Sequence, residues 1–437
     1  MKVAFYTLGC KVNQAEAGAL QKLFLERGHT LVPFSENADL YVITTCTVTS
    51  SSDKKCRQTI RRIRRERSDA VVAVCGCFAQ TNPEDAKALG ADIICGVTDR
   101  KSLLELAENY KKDDGTKTLI RDVTDFRTFE PLFSDSNQGR TRALLKIQDG
   151  CDNFCSYCII PYARGRSRSM LPGDAVNEAI RLKSEGFKEI VITGIEISSY
   201  GKDLAEKTTL GSLVGRILDE VPGVRIRLGS LDPGTVDRDF CCALQGFSNL
   251  CPHFHLSLQS GNSKILARMG RKYTADDYKE AVRLLYESFP GCAVTADLIV
   301  GFPGETPEDF SESLELIRSC SLYMVHVFPY SKRSGTRAAR FENQVPRTER
   351  ERRAHEAIKL ADALKAEYLN RQIGTVAEVL FESEDQGFFM GHTKNYCPVL
   401  ASSGESLKNT LRQVKIESTD GEYLYGEFVG SPQDTAL

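Results

Sequence analysis

Two long stretches of this 437-residue sequence alternate short β-rich runs with helical runs. In residues 1–125 the runs that predict strands are VAFYTLG, LYVITT, AVVAVCG and DIICGV, and a helical run follows each of them. In residues 141–345 about six such strands, from ALLKIQ to LYMVHVFPY, alternate with helices. Because parallel strands need crossover connections, usually helices, this alternation predicts parallel sheets covered by helices. The fold class that follows is α/β, with an open parallel sheet first and a partial (β/α)6 barrel second.

The end of the chain has a different pattern. Residues 346–373, rich in Arg, Glu, Ala and Leu, predict one connecting helix, and residues 374–437 contain short strands separated by turn residues. That second pattern predicts a small all-β barrel. Residues 126–140 are polar and rich in turn residues, so they predict a linker between the first two regions. Three domains agree with the length, since single domains rarely exceed about 250 residues.

Cys151, Cys155 and Cys158 form a Cys-x3-Cys-x2-Cys motif just after the first strand of the second region. Three thiolates at this spacing can bind three irons of a [4Fe–4S] cube and leave the fourth iron open as a reaction site. A zinc ribbon usually pairs two Cys-x2-Cys hooks, and the sequence has no second hook. A disulfide is disfavoured because the thiols are odd in number and no secretory signal precedes them. The motif therefore favours an iron–sulfur site over a zinc or purely structural one.

Three further cysteines follow predicted strands of the first region. Cys10 comes after the first strand, and Cys46 and Cys77 end the second and third strands. Because the carboxyl ends of strands line one crevice in an open α/β sheet, this topology brings the three residues together. A second three-cysteine site and ordinary buried thiols are both compatible with the placement. Cys75, two residues before Cys77, is the alternative third member.

Composition excludes some classes of protein. No apolar run approaches the ~18 residues that cross a bilayer, and the start MKVAFYTLGC lacks the shape of a signal peptide. We therefore expect a cytoplasmic protein with no membrane partner. The formal net charge of −2 by itself favours neither nucleic acid nor protein as a partner.

The segment from Lys54 to Arg67 carries eight basic residues and one acidic residue. At helical spacing it has a basic face (Lys54, Arg57, Arg61, Arg65) and an apolar stripe (Cys56, Ile60, Ile63). The apolar stripe predicts packing against a core. The basic face is either a solvated surface or a surface that contacts phosphates.

The residues around the first cysteine motif resemble the radical S-adenosylmethionine enzymes. The stretch from Gly150 to Pro161 and the run from Arg164 to Ser169 are similar to the methylthiotransferase branch of that family. The motifs GCKVN, TCTV and GCFAQ match the branch's ligand motifs for a second cluster, at Cys10, Cys46 and Cys77. The resemblance implies two [4Fe–4S] clusters, S-adenosylmethionine as radical source and methyl donor, and a terminal RNA-binding barrel of the TRAM type.

The same resemblance implies how the cofactor is held. The open iron would chelate the amino and carboxylate groups of S-adenosylmethionine, whose reductive cleavage gives a 5′-deoxyadenosyl radical. Residues near the cysteine motif and the strand ends match family motifs for binding the cofactor, and a structural role is the alternative for each. These candidate contacts are Tyr157, Thr193, Gly194, Glu196, Ser257, Gln259, Arg268 and Asp297. Arg268 in particular is expected to meet the carboxylate of the cofactor.

Two motifs concern the substrate. The residues Lys-Val-Asn after Cys10 and the run GIEISSYG from Gly194 to Gly201 resemble the branch that acts on N6-threonylcarbamoyladenosine. That branch adds a methylthio group to C2 of this nucleoside at position 37 of tRNA, beside the anticodon. The resemblance thus implies tRNA as substrate and an electron donor such as flavodoxin or ferredoxin, and it leaves the sulfur source open.

Two other hypotheses stay open. Residues 374–437 carry ten acidic residues against four basic ones, which is the wrong sign for binding phosphates. The family branch that modifies an aspartate of a ribosomal protein is therefore the second hypothesis. A non-catalytic iron–sulfur RNA-binding protein is the third, because it needs the same cysteines.

Overall fold

The first region forms a six-stranded parallel sheet in the computed structural model, which describes residues 1–133, 141–385 and 387–429. Its strands are β1 (Lys2–Thr7), β2 (Thr30–Val32), β3 (Leu40–Thr45), β4 (Val71–Gly76), β5 (Ile93–Cys95) and β6 (Lys117–Leu119). In the order β2-β1-β3-β4-β5-β6, the four predicted strands form the centre and two short strands extend the edges. Residues 134–140 of the predicted linker and 430–437 of the predicted C-terminal module lie outside the described residues.

Helices cover both faces of this sheet. They are α1 (Lys11–Glu26), α2 (Ser50–Glu66), α3 (Cys77–Thr81), α4 (Pro83–Ala88) and α5 (Arg100–Asn109). Because side chains alternate along a strand, Leu40 of β3 packs against α1 and α5, whereas Tyr41 packs against the other three helices. The predicted apolar stripe of α2, formed by Cys56, Ile60 and Ile63, is buried on that second face.

The second region is an open barrel of parallel strands. Its strands are β7 (Arg142–Lys146), β8 (Gln148–Asp149), β9 (Arg168–Ser169), β10 (Glu189–Thr193), β11 (Arg225–Leu228), β12 (Ser230–Leu231), β13 (His253–Leu256), β14 (Ala293–Val300) and β15 (Met324–Pro329). The sheet β11-β10-β7 continues into β12-β13-β14-β15, because only Gly229 separates β11 from β12. Strands β8 and β9 form a short antiparallel pair after β7. The predicted partial (β/α)6 barrel is confirmed in this form.

Helix α6 (Ile160–Arg164) lies at the barrel mouth and packs against α3 of the first region. Six helices pack on the outside of these strands: α7 (Pro172–Ser184), α8 (Leu210–Glu220), α9 (Arg238–Leu244), α10 (Ser263–Met269), α11 (Ala275–Ser288) and α12 (Pro307–Ser319). Short 3-10 turns lie at Lys112–Asp114, Val123–Asp125, Ile197–Ser199, Pro233–Thr235 and Ala338–Arg340. The strand residues that face the helices, such as Ile190 and Val294, form the largest apolar core. The alternate residues point inward, so the inside of the barrel is polar. It contains Arg142, Lys146, Glu189, Arg227, His255 and Asp297.

The chain ends in a closed five-stranded barrel, as predicted. Helix α13 (Arg347–Asn370) leads to β16 (Val376–Asp385), β17 (Phe388–Thr393), β18 (Pro398–Ser402), β19 (Leu411–Thr419) and β20 (Leu424–Phe428). The strands close in the order β16-β17-β18-β20-β19. Among the described helices, none is both long enough and apolar enough to cross a membrane.

The C-terminal barrel packs against the amino end of the central barrel. Arg142, which begins β7, donates to Glu382 at 2.6 Å, and Arg225, which begins β11, donates to Glu378 at 3.0 Å. Arg225 is buried, so its charge needs a partner of this kind. Two of the acids that made this module look unsuited to RNA therefore have a structural task inside the protein.

Candidate functional site

The first cysteine motif lies in the loop between β8 and α6, at the carboxyl end of β7. We call Cys151, Cys155 and Cys158 the loop site. Gly150 opens the loop at φ +71°, and a Cβ atom there would lie 1.9 Å from the backbone oxygen of Arg166, so the turn requires glycine. Cys155 is buried, and the other two cysteines are half-buried. One tight local turn therefore presents three thiols together at the mouth of the barrel.

Hydrogen bonds and burial act on these sulfurs. The amides of Asn153 and Ile160 donate to the sulfurs of Cys151 and Cys158, each at 3.5 Å. Burial raises the pKa of the Cys151 thiol to about 12 and that of the Cys158 thiol to about 11, so both bind as thiolates only when a metal displaces their protons. Amide donors to sulfur and a shielded position are features of iron–sulfur sites. The loop site fits a cluster held by three thiolates.

Across residues 1–133, 141–385 and 387–429, no three His, Cys, Asp or Glu side chains lie close enough together to enclose one metal ion. A cube keeps its ligands farther apart, because each thiolate binds a different iron. A structural zinc ion would need four donors around one point.

The structure brings Cys10, Cys46 and Cys77, which we call the sheet site, to the carboxyl edge of the first sheet. Cys10 caps α1, Cys46 follows β3 directly, and Cys77 begins α3. The contact is close, because a Cβ atom at Gly9 would lie 2.9 Å from the Cβ atom of Cys46. The amide of Asn13 ties the loops after β1 and β3 by donating to a backbone oxygen near the end of each, at 2.8 and 2.9 Å. Three distant parts of the chain thus converge.

Cys77 has a charged hydrogen-bond donor. Burial raises the pKa of its thiol to about 12, and negative charge on Cys10 or Cys46 raises it as well. Arg164 opposes this, since its Nε atom donates to the sulfur of Cys77 at 3.2 Å. A cation beside a sulfur favours the thiolate, which is the form that binds metal. The sheet site therefore also fits a cluster held by three thiolates.

Cys75, the alternative third cysteine, points to the other face of the sheet. It is packed in the core beneath α1 and α5, where its sulfur lies 3.8 Å from the hydroxyl of Thr44. Cys95 is its neighbour on β5 and is buried in the same core. Both are placed as packed thiols, and Cys77 is the residue that shares a loop edge with Cys10.

Arg164 links the two sites. It ends α6, six residues after Cys158, and reaches across to Cys77 of the first sheet. The same guanidinium donates to Glu16 of α1 at 2.8 Å and to Asp149 of β8 at 3.0 Å. One side chain thus contacts the sheet site, the helix that begins there, and the strand that leads into the loop site.

A buried cluster of charges surrounds this link. Its members are Glu16, Arg100, Lys146, Asp149 and Arg164. Burial by itself would raise the pKa of Glu16, but the charges of the three cations hold it well below its usual range. Lys146 and Arg164 likewise overcome burial and lower the pKa of Asp149 to about 2. Each carboxylate needs its cations, so the cluster fixes how the first sheet sits on the central barrel.

The loop after β15 forms a second link. Arg333 donates to the hydroxyl of Thr47, the residue after Cys46, at 2.6 Å. Arg337 donates at 3.1 Å to the backbone oxygen of Phe154, which lies within the loop site's turn. The sheet site and the loop site are therefore held over the same barrel mouth from two directions.

A cavity of about 230 Å³ opens beside the loop site. Glu196, Asn153 and Arg271 line it, and Asn153 donates to Glu196 at 3.4 Å. Burial and the neighbouring Asp232 raise the pKa of Glu196 to about 7, although Arg271 acts to lower it. A hydrogen-bond donor or a cation in the cavity would stabilise the Glu196 carboxylate, and an anionic group there would pair with the Arg271 guanidinium. The cavity thus offers complementary groups for both ends of an amino acid.

Other predicted cofactor contacts lie next to this cavity. The hydroxyl of Tyr157 donates to the side-chain oxygen of Gln259 at 3.2 Å and accepts from Arg271 at 2.9 Å. At Gly194 a Cβ atom would lie 2.8 Å from the side chain of Ile197. The backbone can pass this close to Ile197 only because glycine has no side chain. These residues therefore lie beside the same cavity as Glu196, and their contacts with the cofactor stay predictions.

Three of the remaining predicted contacts do not line the cavity. Thr193 ends β10 on the inside of the barrel. Ser257 accepts from the hydroxyl of Tyr273 through its backbone oxygen at 2.6 Å. Asp297 lies 3.3 Å from the ring of His255. Thr193 and Asp297 belong to the polar interior of the barrel, and Ser257 supports a residue of the cavity wall.

Arg268 does not reach the site, contrary to our expectation. Its guanidinium donates to the backbone oxygen of Pro303 at 2.8 Å and lies over the ring of Phe341 on the outside of the barrel. Arg271 occupies the position that we expected for Arg268, because the chain turns sharply after α10. Arg271 stands in the same run, LARMGRKYT, that suggested Arg268, whereas no motif marks Asp232, and only the fold places both beside the loop site.

Two families match the chain. The radical SAM superfamily covers residues 145–317, and the uncharacterised protein family UPF0004 covers residues 2–96. The first range contains the loop site, and the second contains the sheet site.

Full-length relatives are tRNA-modifying enzymes. The chain is 40% identical to the threonylcarbamoyladenosine tRNA methylthiotransferase MtaB of Bacillus subtilis (strain 168), over 99% of this chain and 97% of that protein. It is 35% identical to the protein of the same name from Aquifex aeolicus (strain VF5), over 91% and 96% of the two chains. It is 33% identical to the tRNA-2-methylthio-N(6)-dimethylallyladenosine synthase of Acetivibrio thermocellus (strain ATCC 27405), over 97% and 90%.

A solved structure shares the fold. The radical S-adenosylmethionine methyltransferase TsrM from Kitasatospora setae, with tryptophan substrate and a SAM analogue bound, aligns with a TM-score of 0.56 at 16% identity, over 88% of this chain and 79% of that one. At this identity the likeness concerns the fold alone. The loop site, the sheet site and the full-length relatives together show that the chain belongs to the radical S-adenosylmethionine methylthiotransferase family.

Proposed function

We propose that this protein adds a methylthio group to C2 of N6-threonylcarbamoyladenosine at position 37 of tRNA, beside the anticodon. The observation that carries the proposal is the pair of three-cysteine sites held over one barrel mouth by Arg164. A radical enzyme that only cleaves its cofactor needs one such site, and sulfur insertion needs a second. Relatives named for this activity, 40% and 35% identical over most of the chain, support the choice of substrate.

The two sites divide the cofactors between them. The loop site would hold one [4Fe–4S] cluster and S-adenosylmethionine, and the sheet site would hold the second cluster. When bound, these groups supply a carbon-centred radical, a sulfur atom and a methyl group. The protein would hold, orient and shield these groups through residues at the barrel mouth.

Glu196 and Arg271 orient the methionine end of the cofactor. Glu196 accepts a hydrogen bond from the amino group and Arg271 donates to the carboxylate, since both line the cavity beside the loop site. The hydrogen bonds from Arg271 to Tyr157 and from Tyr157 to Gln259 hold the guanidinium in place. A fixed cofactor keeps its reacting carbon at a constant distance from the substrate.

Helix α2 gives the tRNA a basic surface near the mouth. Lys54, Arg61 and Arg65 are exposed, whereas Arg57 turns inward to pair with Asp85 at 2.5 Å. The phosphate-contacting face is therefore smaller than the sequence predicted. Its position is suitable, because the start of α2 reaches the loop after β15 that borders the mouth.

The acidic C-terminal barrel does not oppose this proposal. Its Glu378 and Glu382 pair with arginines of the central barrel, so these charges are not available to repel a phosphate backbone. This pairing neutralises two of the ten acids in residues 374–437 and so weakens the argument for a ribosomal protein as substrate. Electrons would come from a one-electron donor of the flavodoxin or ferredoxin kind, and the sulfur source remains to be identified.

Mass spectrometry of tRNA nucleosides from a strain that lacks this protein tests the proposal. We expect the 2-methylthio form of threonylcarbamoyladenosine to disappear and the parent nucleoside to accumulate. The wild-type gene should restore the product, and a gene encoding Cys155→Ala should not. An unchanged nucleoside profile contradicts the proposal. Loss of a methylthio group from a ribosomal protein in the same strain would support the second hypothesis.

A further inference from the structure

A second cavity, of about 480 Å³, lies where the three domains meet. Lys11 and Gln14 of α1 form one wall, Arg142 and Val191 of the central barrel form another, and the C-terminal barrel adds Tyr396. Lys11 is the residue next to Cys10 of the sheet site. Through Lys11, the wall of this cavity lies one residue along the chain from the site at which sulfur would be delivered.

Most charges around this cavity are already paired. Arg142 donates to Glu382 at 2.6 Å, and Glu382 also lies 2.8 Å from the ring of His392. Arg227 donates to Glu189 at 2.6 Å. The carboxylates that line or border the cavity are thus occupied by cations that belong to the barrel walls.

Lys11 is different. Among the described residues its ammonium group has no hydrogen-bond or ion-pair partner, and solvent reaches its side chain through the cavity. Arg142 lines the same cavity and is also a cation, but Glu382 already pairs with it. The result is a positive wall with one free cation, which favours an anionic group as the occupant of the cavity.

The proposed substrate carries such a group in a suitable place. A threonylcarbamoyl substituent ends in a carboxylate and is attached to N6 of the adenine. N6 and C2 lie on the same edge of the base, on either side of N1. If C2 faces the sheet site, the substituent extends along that edge, and the flexible side chain of Lys11 starts one residue from Cys10.

We propose that Lys11 binds the carboxylate of the threonylcarbamoyl group on the substrate adenosine and so selects this nucleoside. This inference rests on the function proposed above. The uncharged walls of the cavity, formed by residues such as Leu144, Val191 and Met390, accommodate the apolar parts of the base and the substituent. An adenosine with a neutral N6 substituent would leave the ammonium group without a partner.

Binding of anticodon stem-loop RNAs to the reconstituted full-length protein, followed by fluorescence anisotropy without S-adenosylmethionine, tests this inference. Three RNAs are compared: one with threonylcarbamoyladenosine, one with its methyl ester, and one with plain adenosine. We expect the wild-type protein to bind the acid about tenfold to a hundredfold more tightly than the ester, as a charge-assisted hydrogen bond allows. Lys11→Gln should bind both equally, whereas Lys11→Arg should keep part of the preference.

Several results would overturn the inference. If the wild-type protein does not distinguish the acid from the ester, Lys11 has no such role, and this measurement needs no variant. If Lys11→Gln weakens binding of all three RNAs alike, the ammonium contacts a phosphate instead. Lys22→Gln, on the same helix but outside the cavity wall, is the matched control and should change nothing. Iron analysis of each variant checks that the sheet site next to Lys11 is intact.

The outcome is separable from that of the proposed function. If the wild-type protein forms no methylthiolated nucleoside from any of the three RNAs, the proposed function fails. If it methylthiolates the acid and the ester equally well, the function stands and only the role of Lys11 is wrong.

Discussion

The loop site and the sheet site offer the same three thiols but are built in opposite ways. The loop site lies within eight residues of one turn, and its requirements are local: Gly150 and two backbone amides. The cysteines of the sheet site are each more than thirty residues apart and meet only because β1, β3 and β4 are parallel neighbours. The loop site should therefore tolerate loosening of the first sheet, whereas the sheet site depends on folding and docking of a whole domain.

The largest effect is expected from Cys155→Ala in the loop site. Two thiolates hold a cube poorly, so formation of 5′-deoxyadenosine from S-adenosylmethionine under reduction should fall by at least about a thousandfold. The iron content after anaerobic reconstitution should fall from about eight to about four per chain, because the sheet site is built independently. Cleavage at the wild-type rate would show that the loop site does not generate the radical.

Cys77→Ala should separate the two sites. We expect this variant to keep cofactor cleavage and to lose the methylthiolated product, as judged by chromatography of both products from one reaction. Cys75→Ala is the matched control, since Cys75 lies two residues earlier and packs in the core on the other face. It should keep both products and lose about 1 kcal/mol of stability. The reverse pattern would make Cys75 the ligand.

Arg164→Met tests whether the sheet site depends on docking. The change leaves two buried carboxylates short of a cation and removes the donor to Cys77, so we expect a loss of about 3–5 kcal/mol in the free energy of unfolding. On mild warming, iron should leave the sheet site before the loop site, which electron paramagnetic resonance of the reduced clusters can follow. Arg166→Met is the control, because Arg166 is exposed, pairs with Asp152 at the surface and lies over the ring of Phe154, away from the buried cluster of charges. Equal loss of iron from both sites would contradict the comparison.

The affinity of the loop site for S-adenosylmethionine should depend on pH. The pKa of Glu196 is raised to about 7, so below that pH the carboxyl becomes neutral and accepts a weaker hydrogen bond from the amino group of the cofactor. We expect the dissociation constant for S-adenosylmethionine to rise as the pH falls from 8 to 6. The rise should approach about tenfold per pH unit at the acid end of this range. Glu196→Gln should bind weakly throughout and lose this slope. A flat profile in the wild-type protein would remove Glu196 from the cofactor site.

The smallest effect is expected at the basic surface next to the sheet site. Reversing two exposed charges, in Arg61→Glu/Arg65→Glu, should weaken tRNA binding. The slope of the logarithm of the binding constant against the logarithm of the salt concentration should become shallower by about two. Lys22→Glu/Lys101→Glu reverses two charges on the helices of the opposite face and should have little effect. If both double variants bind alike, α2 is a solvated surface.

The sequence predicted both cysteine sites, for different physical reasons. The loop site follows from spacing alone, and the sheet site follows from the rule that carboxyl ends of parallel strands meet at one edge. The short edge strands β2 and β6 escaped prediction, because three residues are too few to show a period. The assignment of individual ligands and the exact domain boundaries remain predictions.

What the sequence could not predict depends on tertiary contacts. Arg164 was part of a family motif, but nothing local shows that it contacts Cys77 and Glu16. Arg268 and Arg271 are only three residues apart, but the turn after the seven-residue helix α10 directs Arg271, and not Arg268, to the cavity beside the loop site. The pairing of acids in the C-terminal barrel with arginines at the start of central-barrel strands also depends on tertiary contacts, so the sequence did not predict it.

Counting clusters in three proteins tests the central claim most directly. Mössbauer spectroscopy and iron analysis are applied to the wild-type protein, to a variant with the three loop-site cysteines changed to Ala, and to one with the three sheet-site cysteines changed to Ala. Each protein is assayed for 5′-deoxyadenosine and for methylthiolated nucleoside. We predict two [4Fe–4S] clusters in the wild type and one in each variant. The wild type and the sheet-site variant should cleave the cofactor, and only the wild type should insert sulfur. A sheet-site variant that still holds two clusters, or still inserts sulfur, would contradict the account.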